Sequence, residues 1–292
     1  MMSDSIQILQ KQDSRFPTLL SEIHSPPERL FFRGKIPDAH QICVAVVGTR
    51  KASHYGKLVT RKLIGELARH NIAIVSGLAY GIDVEAHRAT LEAGGRTIAV
   101  LAGGIDNPSI SPRAHENLAN EIIASGGCVL SEHPTGTQYR SYHFPARNRI
   151  IAGMCKATII VESTIKSGTM ITAAAALREN RDVMIVPGPI TSPLSAGPHQ
   201  LLKDGAIPIT CVQDILEVLD LSAAHAAADI KQAIPMSDEE RSLLSLITHE
   251  PVNIDEIARV SKGTIANTTQ LITLLELKSL ITHVGSGCYT KT

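Results

Sequence analysis

The chain has 292 residues, 43% of them hydrophobic and 19% charged, enough for one large core and a second small one. Its 28 basic and 28 acidic residues cancel, so a polyanionic partner would have to be met by a local patch rather than by the field of the whole molecule. With no apolar run long enough to span a bilayer, no N-terminal signal pattern and cysteines at 43, 128, 155, 211 and 288 that never fall as C-x-x-C, the sequence argues against a membrane anchor, a disulfide framework and a zinc site, and predicts a cytoplasmic protein with buried thiols.

Residues 1–40 read as an extended or short helical lead-in broken at Pro26-Pro27. From 41 to 220, short β-branched runs alternate with helix-length segments. Strands are predicted at 44–47, 72–75, 97–101, 128–130, 158–161 and 183–186, with a smaller one at 207–210. Helices are predicted at 56–70, 84–93, 113–125, 147–155, 169–180, 198–204 and 212–219. Strands that are apolar throughout are covered on both faces. The alternation predicts an α/β domain with a doubly wound, mostly parallel sheet.

The Ala-rich stretch 221–236 reads as a linker. After it, Ser237 and Glu240 have the spacing of a capping box that opens a helix. Helices at 254–260 and 264–277 and a hairpin across Gly285-Ser286-Gly287 complete a small winged helix over 237–292. That domain holds five basic and seven acidic residues, and 264–275, the expected recognition helix, has no Lys or Arg. Duplex binding draws its affinity from phosphate neutralisation, so this tail is expected to contact protein rather than DNA.

Ligands of a doubly wound sheet bind at the carboxyl ends of its strands, and the loops leaving those ends carry the chemistry here. Glycine lets backbone amides approach an anion, and a following helix adds the positive end of its dipole. The Ser76-Gly77-Leu78 turn and the Ser167-Gly168-Thr169 helix start therefore read as phosphate cradles, with Gly48, Thr49, Arg50, Arg147 and Lys166 close by. Residues 139–149 hold three of the nine aromatic residues, interleaved with Arg140, Arg147 and Arg149. Rings beside arginines suit single-stranded nucleic acid, because stacking contributes about 1–3 kcal/mol per base whatever the base. The plainer reading is a hydrophobic helix start at Phe144-Pro145 with ordinary surface arginines.

Several enzyme signatures fail on residue type. Arg50 stands where a dinucleotide loop needs its second glycine, and the Gly48–Gly56 spacing is wrong for a P-loop. No H-E-x-x-H or G-x-S-x-G occurs. Asp83, Glu85, Glu132 and Glu162 read as helix caps or arginine partners, and His87 and His115 as surface residues. No catalytic residue, metal site or cofactor is assigned.

Taken together, Gly48-x-Arg50-x-x-Ser-x-Tyr55-Gly56, Ser76-Gly77-x-Ala79-x-Gly81-Ile82-Asp83, Ser131-Glu132-x-Pro134-x-Gly136, Phe144-Pro145-x-Arg147-Asn148-Arg149, Glu162-x(4)-Ser167-Gly168-Thr169 and Pro187-Gly188 resemble, in order and spacing, the DNA-processing protein A (DprA/Smf) family. The resemblance runs from about Phe16 to Leu219. It implies an extended Rossmann-like domain that binds single-stranded DNA without sequence preference, dimerises through that domain, protects incoming DNA in natural transformation and loads the RecA recombinase. By position it implies that Arg50 pairs a phosphate, that the 76–78 turn offers amides, that Phe144 meets a base, and that Arg147 and Asn148 shape the pocket. Tyr80 stands where the family usually has Arg, and the helical N-terminal domain of some members is not expected. An alternative is a nucleotide-processing enzyme of the phosphoribohydrolase-like Rossmann type, which Glu162 with Ser167-Gly168-Thr169 faintly echoes. A transcription factor is disfavoured by the charge of the tail.

Overall fold

The computed structural model describes residues 5–221, 237–248, 251–261, 264–278, 280–285 and 287–291. They fall into two compact units, Met1–Ala223 and Ala224–Thr292. All of the expected linker except Leu221 lies outside the described residues.

The larger unit is a nine-stranded sheet between two helical layers. Its strands are β1 (Gln7–Gln10), β2 (Arg29–Gly34), β3 (Cys43–Val47), β4 (Ala73–Ser76), β5 (Thr97–Val100), β6 (Cys128–Ser131), β7 (Ala157–Ile160), β8 (Asp182–Ile185) and β9 (Ile207–Pro208). They lie in the order β1-β2-β6-β5-β4-β3-β7-β8-β9. The run from β6 to β9 is parallel, as the apolar strands require. β3 shows the cause most clearly: all five of its residues are buried.

The side chains of β3 alternate between two cores. Cys43, Ala45 and Val47 meet α5 (His143–Gly153) and α6 (Gly168–Arg178), together with α1 (Thr18–Ser21) and α7 (Ala196–Lys203). Val44 and Val46 meet α2 (His54–Leu67), α3 (Ile82–Glu92) and α8 (Val212–Val218). A third cluster packs α4 (Glu116–Ala124) over β5 and β6. Burial pushes the Cys43 thiol up to about 12. Among the described residues no helix is long and apolar enough to cross a membrane.

Residues 7–34 differ from the expected lead-in. β1 and β2 form an antiparallel pair, and β2 joins the sheet antiparallel to β6. Phe16, Leu20 and Ile23, from the connection between them, enter the main core. The sheet is therefore mixed at this edge. α5 also begins four residues before the expected 147, with Pro145 in its first turn, where a proline removes no helical hydrogen bond.

The smaller unit is a winged helix. α9 (Asp238–Leu246), α10 (Ile254–Ser261) and α11 (Ile265–Leu277) pack around Leu243, Ile257, Ile272 and Leu275. β10 (Val252–Asn253), β11 (Ile281–Gly285) and β12 (Cys288–Lys291) form a small sheet in the order β10-β12-β11. The capping box is formed in both directions: Glu240 N–H donates to Ser237 Oγ at 3.2 Å, and Ser237 N–H to Glu240 Oε2 at 2.7 Å.

Candidate functional site

β3 is flanked by β4 on one side and β7 on the other, so the chain winds away from it in opposite directions. The helices that follow β3 and β7, α2 and α6, pack on opposite faces of the sheet, and a cavity of about 430 Å³ is lined by the loops that lead to them. Gly48, Thr49 and Arg50 line it from β3, Phe144, Arg147 and Asn148 from α5, and Ser167 and Gly168 from the start of α6. Eight of the thirteen residues singled out in the sequence thus meet at one place. Gly77 borders a second, adjoining cavity. Ser76 and Leu78 are fully buried, and Arg140 and Lys166 are exposed and line neither cavity.

The two expected phosphate cradles differ. In the first, Asp83 Oδ2 accepts from Gly77 N–H at 3.1 Å and Ala79 N–H at 3.3 Å, so a buried carboxylate already occupies the place of an anion. Ser76 Oγ donates to Val46 O, and the Leu78 side chain belongs to the core beside α4. The second cradle is open. Ser167 does not cap α6; its hydroxyl pairs with Ser163 Oγ at 2.6 Å. A Cβ added to Gly168 would meet nothing within 4 Å. The first-turn amides of an eleven-residue helix therefore have space in front of them and no side-chain cap.

The start of α2 is closed by contrast. Ser53 Oγ accepts from Gly56 N–H, while Ser53 itself donates its backbone N–H (2.9 Å) and its hydroxyl (2.5 Å) to Glu162. Glu162 is 4% exposed and holds the β3 and β7 loops together, with its own carbonyl accepting from Thr49 N–H.

Arg50 and Arg147, alike in sequence, have opposite settings. Arg147 is 7% exposed. Its Nη1 donates to Gly77 O at 2.8 Å and to Val100 O, and its Nε donates to Asn148 Oδ1. Burial lowers its pKa to about 10, opposed by the neighbouring Asp83, whose own carboxyl burial pushes up. Arg147 is thus an internal clamp joining the ends of β4 and β5. Asn148 continues that network by donating to Gly168 O. Arg50 is exposed, has no carboxylate partner among the described residues, and lies over the Phe144 ring at 5.1 Å from its centroid. Arg149, the third arginine of the segment, pairs with Glu132 at 2.5 Å.

Beyond the Arg50–Phe144 pair lies the second cavity, of about 620 Å³, which the sequence did not reveal. Its far wall is the turn at 108–112, which leads to Arg113. Buried Arg33 on β2 fixes that wall by donating to Ile105 O (3.1 Å), Asn107 Oδ1 (2.6 Å) and Asn120 Oδ1 (3.2 Å). The only signals were an arginine in a Pro-rich turn and the ring of Tyr139.

The two histidines correct an expectation, since neither lies on the surface. His115 Nδ1 pairs with Leu78 O at 2.8 Å, and its ring meets Tyr80 edge-on. His87 is 0% exposed, because α3 is covered by both the sheet and α2. The Thr97 hydroxyl donates to Ile74 O, so it accepts from His87 Nδ1–H, leaving Nε2 bare and without a hydrogen-bond partner among the described residues. Burial, with His115 and Arg147 nearby, holds its pKa down to about 3.

Comparison with known proteins agrees with this architecture. Residues 7–220 match the DNA recombination-mediator protein A family, and residues 222–287 match the DprA winged helix domain. Over 283 residues the chain is 36% identical to Protein Smf of Escherichia coli K12, covering 94% of this chain and 75% of that protein. It is 44% identical to DNA processing protein DprA of Streptococcus pneumoniae over 204 residues, 70% of this chain and 71% of the other. The X-ray structure of the S. pneumoniae protein superposes with a TM-score of 0.68, covering 73% of this chain and 74% of that one at 42% identity. A Helicobacter pylori DNA processing protein A, solved to describe its single-stranded DNA binding mode, gives a TM-score of 0.64 at 28% identity, covering 73% of this chain and 95% of its own.

Proposed function

The chain belongs to the DNA recombination-mediator protein A family, and from that premise we propose that it binds single-stranded DNA without sequence preference and without catalysis. In natural transformation and recombination it protects incoming strands and loads the RecA recombinase onto them. The observation that carries the reading is the exposed Arg50 lying over the Phe144 ring at the mouth of a cavity whose floor is an uncapped helix start. A phosphate sits at the first turn of α6 and on Arg50, where dipole and guanidinium add. The neighbouring base stacks on Phe144. A ring face and a guanidinium read no base edge, which makes the binding indifferent to sequence.

The alternative, a nucleotide-processing enzyme, is less well supported. Glu162, the acid it relies on, is buried and engaged by Ser53. The protein works in the cytoplasm as a homodimer of its Rossmann-like domain. The exposed stripe of Ile171, Ala174 and Leu177 on α6 supports that assembly, being an apolar face a second copy would cover.

Fluorescence titration with dT oligomers, duplex of equal length and mononucleotides tests the proposal. Single strands should bind more tightly than duplex at matched salt. Log affinity should fall with log salt at roughly 0.7 per phosphate contacted. Equal affinity for duplex and single strand, or turnover of a mononucleotide, would sink it.

A further inference from the structure

The cavity beyond the Arg50–Phe144 pair is absorbed by none of the roles above. Its volume of about 620 Å³ lies within the range of sites that enclose a small ligand. Its lining includes two arginines, Arg50 and Arg113, and no carboxylate. Arg113 is exposed and has no acidic partner among the described residues. Two large rings, Tyr80 and Tyr139, also line it and are 50% and 51% exposed. Half-exposed tyrosines in an aromatic-poor chain leave ring faces uncovered where a base could cover them.

These groups are held in place before any ligand arrives. The His115 ring meets Tyr80 edge-on with centroids 4.6 Å apart, and His115 is itself tied to Leu78 O. Tyr139 lies against Phe144, with centroids 5.8 Å apart. Asp106 accepts from Gly136 N–H and Ser109 Oγ, binding the turn at 108–112 to the segment that carries Tyr139. Arg33 anchors the same turn from the sheet side. A site whose walls are fixed from two directions loses little freedom on binding.

We propose that this cavity is a second nucleotide subsite, in which a base stacks on Tyr139 or Tyr80 and the adjoining phosphate pairs with Arg113. The proposal rests on the reading of the first cavity as a single-strand site. Arg50 and Phe144 then form a shared partition: consecutive nucleotides of one strand lie on either side of it, and Arg50 serves the phosphate between them.

The test is fluorescence anisotropy on the full chain with a labelled dT dinucleotide and a longer dT oligomer, over a series of salt concentrations. Arg113→Gln and Tyr139→Leu probe the second cavity, Arg50→Ala probes the first, and thermal unfolding confirms that each variant is folded. We expect each second-cavity variant to weaken the longer oligomer by roughly fivefold or more, the lower end of what one stacked base contributes, and Tyr139→Leu to weaken the dinucleotide as well, since its two bases lie on either side of the partition. Arg113→Gln should also flatten the salt slope by about 0.7, the share of one phosphate. If both variants hold the longer oligomer as tightly as the parent while Arg50→Ala releases it, the subsite is wrong and the first site stands. If the parent binds no dT oligomer of either length, the reading of the first site fails and takes the second with it.

Discussion

Arg147→Met separates a clamp from a ligand contact. Methionine fills most of the volume but donates nothing. Gly77 O and Val100 O would lose their common donor inside the protein, at about 1–3 kcal/mol for each buried group left unsatisfied. Asp83 would keep its two amide donors and lose its neighbouring cation; breaking a buried charge pair from one side costs about 3–5 kcal/mol. These losses overlap, because burial already favours a protonated Asp83, which can then take up a proton rather than stay charged. We therefore expect a total of about 3–5 kcal/mol, read as a lower urea midpoint at unchanged slope. Adding Asp83→Asn should recover part of it, giving a measurable coupling in a double-mutant cycle. With the variant held folded, dT affinity should fall less than in Arg50→Ala. A variant that unfolds with the parent yet loses dT binding tenfold would refute the reasoning and return Arg147 to the ligand.

Arg50→Ala should weaken dT binding by about 1.5–3 kcal/mol, as for a charge-assisted bond, with no change in the unfolding midpoint; unchanged binding in the folded variant would make Arg50 structural. Gly168→Ala should leave the fold intact or up to about 1 kcal/mol more stable while lowering dT affinity, since its methyl enters only the space where a phosphate would approach; undiminished affinity would remove the helix start from the site. Between pH 7 and pH 5, His87 should lower stability by about 2 kcal/mol: unfolded it takes up a proton below about 6.5, folded it does not until about 3, so the unfolded state binds more protons throughout that window. His87→Asn, which keeps a donor for Thr97, should flatten that part of the urea-midpoint profile, and a parallel decline would show that other groups cause it. A chain truncated after Asp220 should retain dT affinity to within about 1 kcal/mol at equal oligomeric state, because the removed tail carries six basic and eight acidic residues; a tenfold loss with DNA binding by the isolated tail would reassign the site.

The parallel strands at the centre of the sheet were legible because they are apolar on both faces, interrupted only by a terminal Ser or Thr, a pattern that burial on both faces requires. β1 and β2 were not: Gln7–Gln10 and Arg29–Gly34 mix polar and apolar residues, and their pairing depends on β6, which lies about a hundred residues away. The loops that build the first cavity could be read from chain connectivity alone. What their residues do could not. Arg50 and Arg147 are the same residue type in similar surroundings of sequence, and only the packing of α5 against the ends of β4 and β5 makes one a clamp and leaves the other free. Asp83 shows the same limit, since an acid in the first turn of a helix reads as a cap whether it faces solvent or fills the place of an anion. For His87 the local pattern misled, because α3 carries charged residues yet is enclosed by the sheet and α2.

The side chains of Arg50 and Phe144 line both cavities and divide them, and both cavities open to solvent. On the proposed reading a strand need not be threaded by its end; it can be laid in along its middle and lifted out the same way. Free termini play no part in such docking, so a closed circle of single-stranded DNA should compete with a linear strand of the same length on equal terms. A marked preference for the linear form would mean that the trough is roofed over in solution. Entry from the side also lets several copies of the protein settle on one long molecule without waiting in line from its ends.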